Sequence, residues 1–249
     1  MFEAIRGKRV LVSGAGSGIG ACIAELFGEH GAVVGIHHHA SVEGAQEVRA
    51  RIRKNGGEAI LLQADLTDPD ACSALVPHFI DEAGGIEVLV NNAGAVLRHP
   101  HFLELDRASW DETLALDLAA PFFLAQAAFR HMKDHGGGRI ISLSSIAAKY
   151  GGSEETLHYG AAKAGVEAMT KTLARAGAKH GILANAIQPG VIDTDFHRKI
   201  GRTSLEGRVK SIPLGRAGTP LDVARLCLFL ASECGDYITG QVYGVTGGD

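Results

Sequence analysis

Short runs of consecutive β-branched and aliphatic residues alternate along the chain with longer stretches whose apolar positions recur every three or four residues. The first kind reads as strand and the second as amphipathic helix. Seven runs stand out: Arg9–Ser13, Val33–His37, Ala59–Gln63, Val88–Asn91, Arg139–Leu143, Leu183–Gln188 and Gln241–Thr246. Several are apolar at nearly every position, as strands covered on both faces should be. Between them the spacing predicts helices over Gly18–Glu29, Val42–Asn55, Pro69–Ala83, Ser109–Lys133, His158–His180 and Pro220–Ala231, with start signals at Ser41 and Thr67-Asp68-Pro69. Strand and helix in alternation imply an α/β chain, a doubly wound seven-stranded parallel sheet with helices on both faces. No repeat, low-complexity tract or Pro/Ser linker divides it, so residues 1–249 read as one domain.

One stretch breaks the pattern. From Asp193 to Thr219 the chain is irregular and carries Gly201, Gly207, Gly215 and Gly218. It follows the sixth strand, and ligands of open α/β sheets bind beyond strand ends, so we read it as a lid with glycine hinges.

Composition narrows the function. With 249 residues, 46% hydrophobic and 21% charged, the chain can bury a core without disulfide or metal staples. Its net charge of −4, with no long acidic or basic run, argues against nucleic acid or an anionic membrane surface and leaves a small-molecule partner. The longest stretch free of Asp, Glu, Lys and Arg is Val10–Ala24, studded with Gly and Ser and too short to span a bilayer. Its glycines also spoil it as a signal peptide. Cys22, Cys72, Cys227 and Cys234 form no C-x-x-C pair, and a cytoplasmic location is expected. Glycine, at 33 residues, is in excess without any period, so backbone geometry must account for it.

The first strand runs into Gly14-Ala15-Gly16-Ser17-Gly18-Ile19-Gly20 and then an apolar helix. Free N–H groups and the positive end of a helix dipole favour a phosphate at such a place. The spacing is G-x-x-x-G-x-G over Gly14, Gly18 and Gly20, not the commoner G-x-G-x-x-G. Further segments follow in order: Asn91-Asn92-Ala93-Gly94, Ser144-Ser145, Tyr159-Gly160-Ala161-Ala162-Lys163, Pro189-Gly190-Val191-Ile192-Asp193-Thr194 and Ile238-Thr239-Gly240-Gln241. Over essentially its whole length the chain thereby resembles the short-chain dehydrogenase/reductase family, and among its members the 3-oxoacyl-carrier-protein reductases and the sugar and polyol dehydrogenases.

That resemblance implies a Rossmann-like fold, a nicotinamide cofactor and hydride transfer between the cofactor and a small carbonyl compound or secondary alcohol. Tyr159 and Lys163, four residues apart, share one helix face, and a nearby ammonium lowers a phenol towards the working pH. By resemblance Tyr159 is the general acid/base, Lys163 also holds the nicotinamide ribose, and Ser145 bonds the substrate oxygen. The same likeness assigns Ser17 and Ile19 to the phosphate loop, Asp65 and Leu66 to the adenine, and Asn92, Ala93 and Gly94 to the adenosine side. Pro189, Gly190, Ile192 and Thr194 take the nicotinamide end, with Gly94 and Gly190 expected to let backbone approach the cofactor. The family's tetramer, or a dimer, through the two long central helices is the implied assembly.

Two departures bear on chemistry. Ser145 and Tyr159 are one residue further apart than is commonest in the family, with the extra residue expected in the intervening loop. In Leu116-Asp117-Leu118 an aspartate stands where the family has the asparagine of its proton relay. An ionised carboxylate accepts but cannot donate, and its charge opposes Lys163, so Asp117 is expected to keep the relay as an acceptor and to move the pH optimum upward. Equally open is a helix residue with no catalytic part.

For the cofactor, the acidic position at the end of the second strand is His38. Without a carboxylate nothing repels a 2′-phosphate, and His38, His39 and Ser41 could bond one, so NADP is expected over NAD although no Arg or Lys is present. His37-His38-His39 alternate faces on a strand, which disfavours a metal site. Around the substrate, Arg98, His99, His101, Lys149, His158, His197, Arg198, Lys199 and Arg202 give a cationic tilt suited to a polar or anionic molecule. The arginines with which carrier-protein reductases dock their partner fall on Gly136 and His180, which ranks a free substrate above a carrier-bound acyl chain; Lys179 could replace one. A non-catalytic nicotinamide-binding sensor is the rival of another class.

Overall fold

The computed structural model describes residues 2–194 and 205–249. Seven parallel strands, β1 (Arg9–Val12), β2 (Val33–His38), β3 (Glu58–Gln63), β4 (Val88–Asn91), β5 (Gly138–Leu143), β6 (Ile182–Pro189) and β7 (Val242–Val245), form one sheet in the order β3-β2-β1-β4-β5-β6-β7. Alternation along the strands divides the core in two. Val10 and Val12, Val88 and Val90, and Ile141 and Leu143 point to one face; Leu11, Leu89 and Ile140 point to the other.

Helices cover both faces. α1 (Gly18–Glu29) and α2 (Val42–Lys54) lie on the first, joined there by the last helix through Val223, Ala224 and Cys227. α3 (Pro69–Ala83) covers the second with Leu75, Val76 and Phe79, and starts where predicted: Asp68 accepts the N–H groups of Asp70 and Ala71, and Pro69 needs no partner. The helix expected over Ser109–Lys133 is α4 (Arg107–Leu114), a π turn at Ala115–Ala119 and α5 (Ala120–Met132). The whole run, Arg107–Met132, is long and apolar enough to cross a membrane by length and composition. Here it serves as a core helix, with Leu124, Ala128 and Met132 buried on the sheet and Asp117 buried at its middle.

A short helix that the sequence did not suggest, α6 (Ile146–Tyr150), follows Ser145. α7 (Leu157–Gly177) and a 3-10 turn over Ala178–His180 fill the stretch expected from His158 to His180. Of the expected lid, residues 195–204 lie outside the described residues, including Gly201, His197, Arg198, Lys199 and Arg202. Its described part holds α8 (Glu206–Val209) and leads to α9 (Pro220–Ala231). Gly218 is no hinge, because its N–H bonds the Val191 carbonyl and its carbonyl accepts the Asp193 N–H, which ties the base of the segment to the end of β6.

Strand order reverses at β1, whose neighbours are β2 and β4. The chain leaving β1 and the chain leaving β4 therefore part in opposite directions and open a cleft above their carboxyl ends.

Candidate active site

A cavity of about 630 Å³ fills that cleft, from the glycine loop across the ends of β4 and β5 to the start of α8. All the residues expected at the cofactor or the chemistry line it, except Asp117.

The glycine loop is held from behind. Gly14 has φ +66°, in the left-handed region, and a Cβ there would lie 2.9 Å from the Ala93 Cα. Its N–H donates to His37 Nδ1 at 3.0 Å, and His37 Nε2 donates to the Ala64 carbonyl at 3.1 Å. Both nitrogens of this buried ring are thus occupied, and burial pushes His37 down to about 4, so it stays neutral. Asn92 clamps the other side, its Nδ2 donating to the carbonyls of Ser13 and Gly14. The Ser17 side chain does not cap α1, which leaves the helix start facing the cavity. That arrangement fits a diphosphate.

At the adenosine end, His38 and His39 line the cavity where β2 ends, with no carboxylate at that position. The Ser41 hydroxyl donates to the Gly16 carbonyl at 3.1 Å, so it is turned to the loop and not offered to a 2′-phosphate as expected. Asp65 accepts from the Thr67 N–H and hydroxyl, a turn role, and it also lines the cavity.

Tyr159 and Lys163 project from one face of α7, with Lys163 Nζ 5.6 Å from the Tyr159 ring centroid. The Tyr159 hydroxyl shares a hydrogen bond with Ser145. Ser144, the alternative serine, is turned away: its hydroxyl donates to Glu167 Oε1 at 2.6 Å, where Gln188 also donates. Lys163 Nζ donates to the Leu143 carbonyl at 3.2 Å and lies 3.2 Å from Asp117 Oδ1, with the two side chains 2% and 0% exposed. Burial lifts Asp117 above the usual carboxylate range against the pull of Lys163. Burial lowers Lys163, but Asp117 and Tyr159 outweigh it and the ammonium is held above its ordinary value. Tyr159 is raised by burial and by Asp117, against Lys163 and the Ser145 hydrogen bond.

Two expectations change, those for Asp117 and for the cationic loops. Asp117 does not line the cavity; the π turn places it behind Lys163, 3.2 Å from its Nζ. Gly94 and Gly190 line the cavity where expected, and the protein itself also requires them, because a Cβ on Gly94 would lie 2.4 Å from Asp117 Oδ1, and one on Gly190 2.9 Å from the Thr246 Cα. Among the described residues the expected cations turn elsewhere: Arg98 pairs with Glu112, His101 with Glu154, Lys149 reaches the Asp249 carbonyl, and the buried His158 bonds the Arg98 carbonyl. None of these cations, nor His99, lines the cavity, whose substrate end combines Val96, Leu97, Leu116, Ile146 and Tyr150 with the polar Glu112, Ser153 and Thr156. Arg208, a lid residue with no distinguishing mark in its local sequence, does line it.

A family profile described as "Enoyl-(Acyl carrier protein) reductase" matches residues 14–249. The 3-oxoacyl-[acyl-carrier-protein] reductase FabG of Chlamydia pneumoniae is 38% identical over 97% of this chain and 96% of its own. The chain belongs to the short-chain dehydrogenase/reductase family. An L-rhamnose 1-dehydrogenase (NAD(P)(+)) of Azotobacter vinelandii is 40% identical over 97% of this chain and 96% of its own. A short chain dehydrogenase from Burkholderia cenocepacia J2315, solved in complex with NADP, superposes with a TM-score of 0.91 at 35% identity, covering 98% of each chain. This short-chain dehydrogenase/reductase is accordingly an NAD(P)-dependent oxidoreductase acting on CH–OH or carbonyl groups.

Proposed function

We propose that this enzyme interconverts a small free carbonyl compound and its secondary alcohol with NADP(H), Tyr159 serving as general acid/base. The observation that carries the reading is the convergence of Ser145, Tyr159 and Lys163 on the cavity that also holds the glycine loop. A bound nicotinamide supplies or accepts the hydride. Ser145 and Tyr159 then hold the substrate oxygen between two hydroxyls, and Tyr159 gives or takes its proton. Lys163 keeps a positive charge beneath the phenol and retains a donor for a ribose hydroxyl. The substrate end mixes apolar side chains with Glu112, Ser153, Thr156 and Arg208, which suits a compact polar molecule.

The lack of a carboxylate at the end of β2 and the imidazoles of His38 and His39 support NADP over NAD. A free substrate is favoured over a carrier-bound one because Gly136 and His180 offer no arginine pair, and the His180 ring packs edge-on against Phe129. Phe122 and Phe123, exposed on α5, support assembly through the α5 and α7 faces into a homotetramer, which light scattering would read as four times 26.1 kDa. A cytoplasmic location agrees with four free cysteines. A panel of ketones, sugars and polyols followed at the nicotinamide absorbance tests the reading; a carrier-bound acyl substrate turned over far faster than its free thioester analogue would replace it.

A further inference from the structure

Tyr159 feels one buried charge pair. Lys163 stands beneath it on α7, and Asp117, carried inward by the π turn, faces Lys163 at 3.2 Å with no exposed surface. Asp117 Oδ1 has no hydrogen-bond partner, and its Oδ2 accepts only a long bond, 3.5 Å, from the Ala95 N–H. The carboxylate is held there by charge, and Gly94, with no Cβ, makes room for the contact. Other ionisable groups near the phenol are engaged elsewhere: Glu112 with Arg98, Glu167 with Ser144 and Gln188, and His158 with the Arg98 carbonyl, while Arg208 lies on the lid side of the cavity. With Tyr159 protonated the trio is neutral. Losing that proton leaves the trio with a net negative charge, and two of its three members, Asp117 and Lys163, are out of contact with water.

We propose that Asp117 is a positioning residue which cancels the Lys163 charge beneath Tyr159 and so keeps the phenol in its proton-donating form at neutral pH, the state from which carbonyl reduction starts. The inference rests on the assignment of Tyr159 as general acid/base. In reduction the substrate carbon gains the hydride while its oxygen takes the Tyr159 proton, leaving a phenolate that solvent reprotonates. Oxidation runs the same atoms backward and must begin from the phenolate, which an uncancelled ammonium would stabilise and this pair does not.

Two readouts test it. The first needs no turnover: ultraviolet titration of phenolate in the wild type minus Tyr159→Phe, repeated in Asp117→Asn minus its Tyr159→Phe double variant. We expect a wild-type Tyr159 midpoint above that of an ordinary tyrosine, and one lower by about one to two pH units in Asp117→Asn. A wild-type midpoint below the ordinary tyrosine value, or one that Asp117→Asn leaves in place, overturns the proposal; the wild-type titration alone decides if that variant does not fold. The second is the pH profile of kcat/KM in both directions for one ketone–alcohol pair. Asp117→Asn should move the basic limb of reduction and the acid limb of oxidation to lower pH together, by the same one to two units as the titration. Unchanged profiles contradict the proposal. Absence of turnover in the wild type would instead sink the oxidoreductase assignment and leave the titration to judge Asp117.

Discussion

Asp117 and Lys163 form an ion pair closed off from water, their charged atoms 3.2 Å apart behind the wall of the cavity. Such a pair contributes little against an apolar replacement, but removing one partner strands the other charge. Asp117→Ala should therefore cost about 3–5 kcal/mol in denaturant unfolding, and the double variant Asp117→Leu/Lys163→Met clearly less. A double variant as unstable as the sum of its parts would show that the two charges do not depend on each other.

Gly94 is tied to the same pair. A methyl group there would fall 2.4 Å from Asp117 Oδ1 and 2.7 Å from Lys163 Nζ. Gly94→Ala should force the two apart, lowering stability by about 1–3 kcal/mol and kcat/KM by about tenfold or more. Unchanged kinetics in this variant would mean that the ion pair adjusts without consequence.

His37 predicts a pH dependence of stability. Burial holds it at about 4 in the folded state, below the 6.5 of a free imidazole. The neutral form is favoured by folding, so its contribution is present above about 6.5 and is lost as pH falls towards 4, about 3 kcal/mol in all. His37→Gln, which keeps a donor and an acceptor but does not titrate, should flatten that window in urea unfolding measured between about pH 7 and 4. An unaltered slope would assign the loss to other groups.

At the end of β2, His38 stands where an acid would select NAD. The ratio of kcat/KM for NADP over NAD should exceed one, and His38→Asp should reverse it. A wild-type preference for NAD would contradict the proposed cofactor.

Sheet, helices and the main cavity residues were legible because their signals are local. A run of apolar residues makes a covered strand, glycines after a strand make a phosphate loop, and Tyr159 and Lys163 meet through one turn of helix. What was not legible depends on remote partners. The π turn leaves no local mark beyond Asp117 in an otherwise apolar stretch, yet it decides that Asp117 faces Lys163 and not the cavity. Gly94 and Gly190 were recognisable as necessary, but the atoms that require them belong to residues far along the chain. Strand alternation separated His37 from His38, while its bond to Gly14 could be seen only in three dimensions. Among the described cations, Arg98 and His101 misled because they turn to carboxylates at the rim.

The central claim is that Tyr159 moves the proton. The most direct measurement is the turnover of Tyr159→Phe against wild type on the best carbonyl substrate, beside a binding titration with the nicotinamide cofactor. We predict a loss of kcat by at least about a hundredfold with cofactor affinity nearly unchanged, the signature of a missing general acid. Turnover retained in Tyr159→Phe would contradict it, and so would cofactor binding without turnover in the wild type across the whole panel, which would make this chain a sensor.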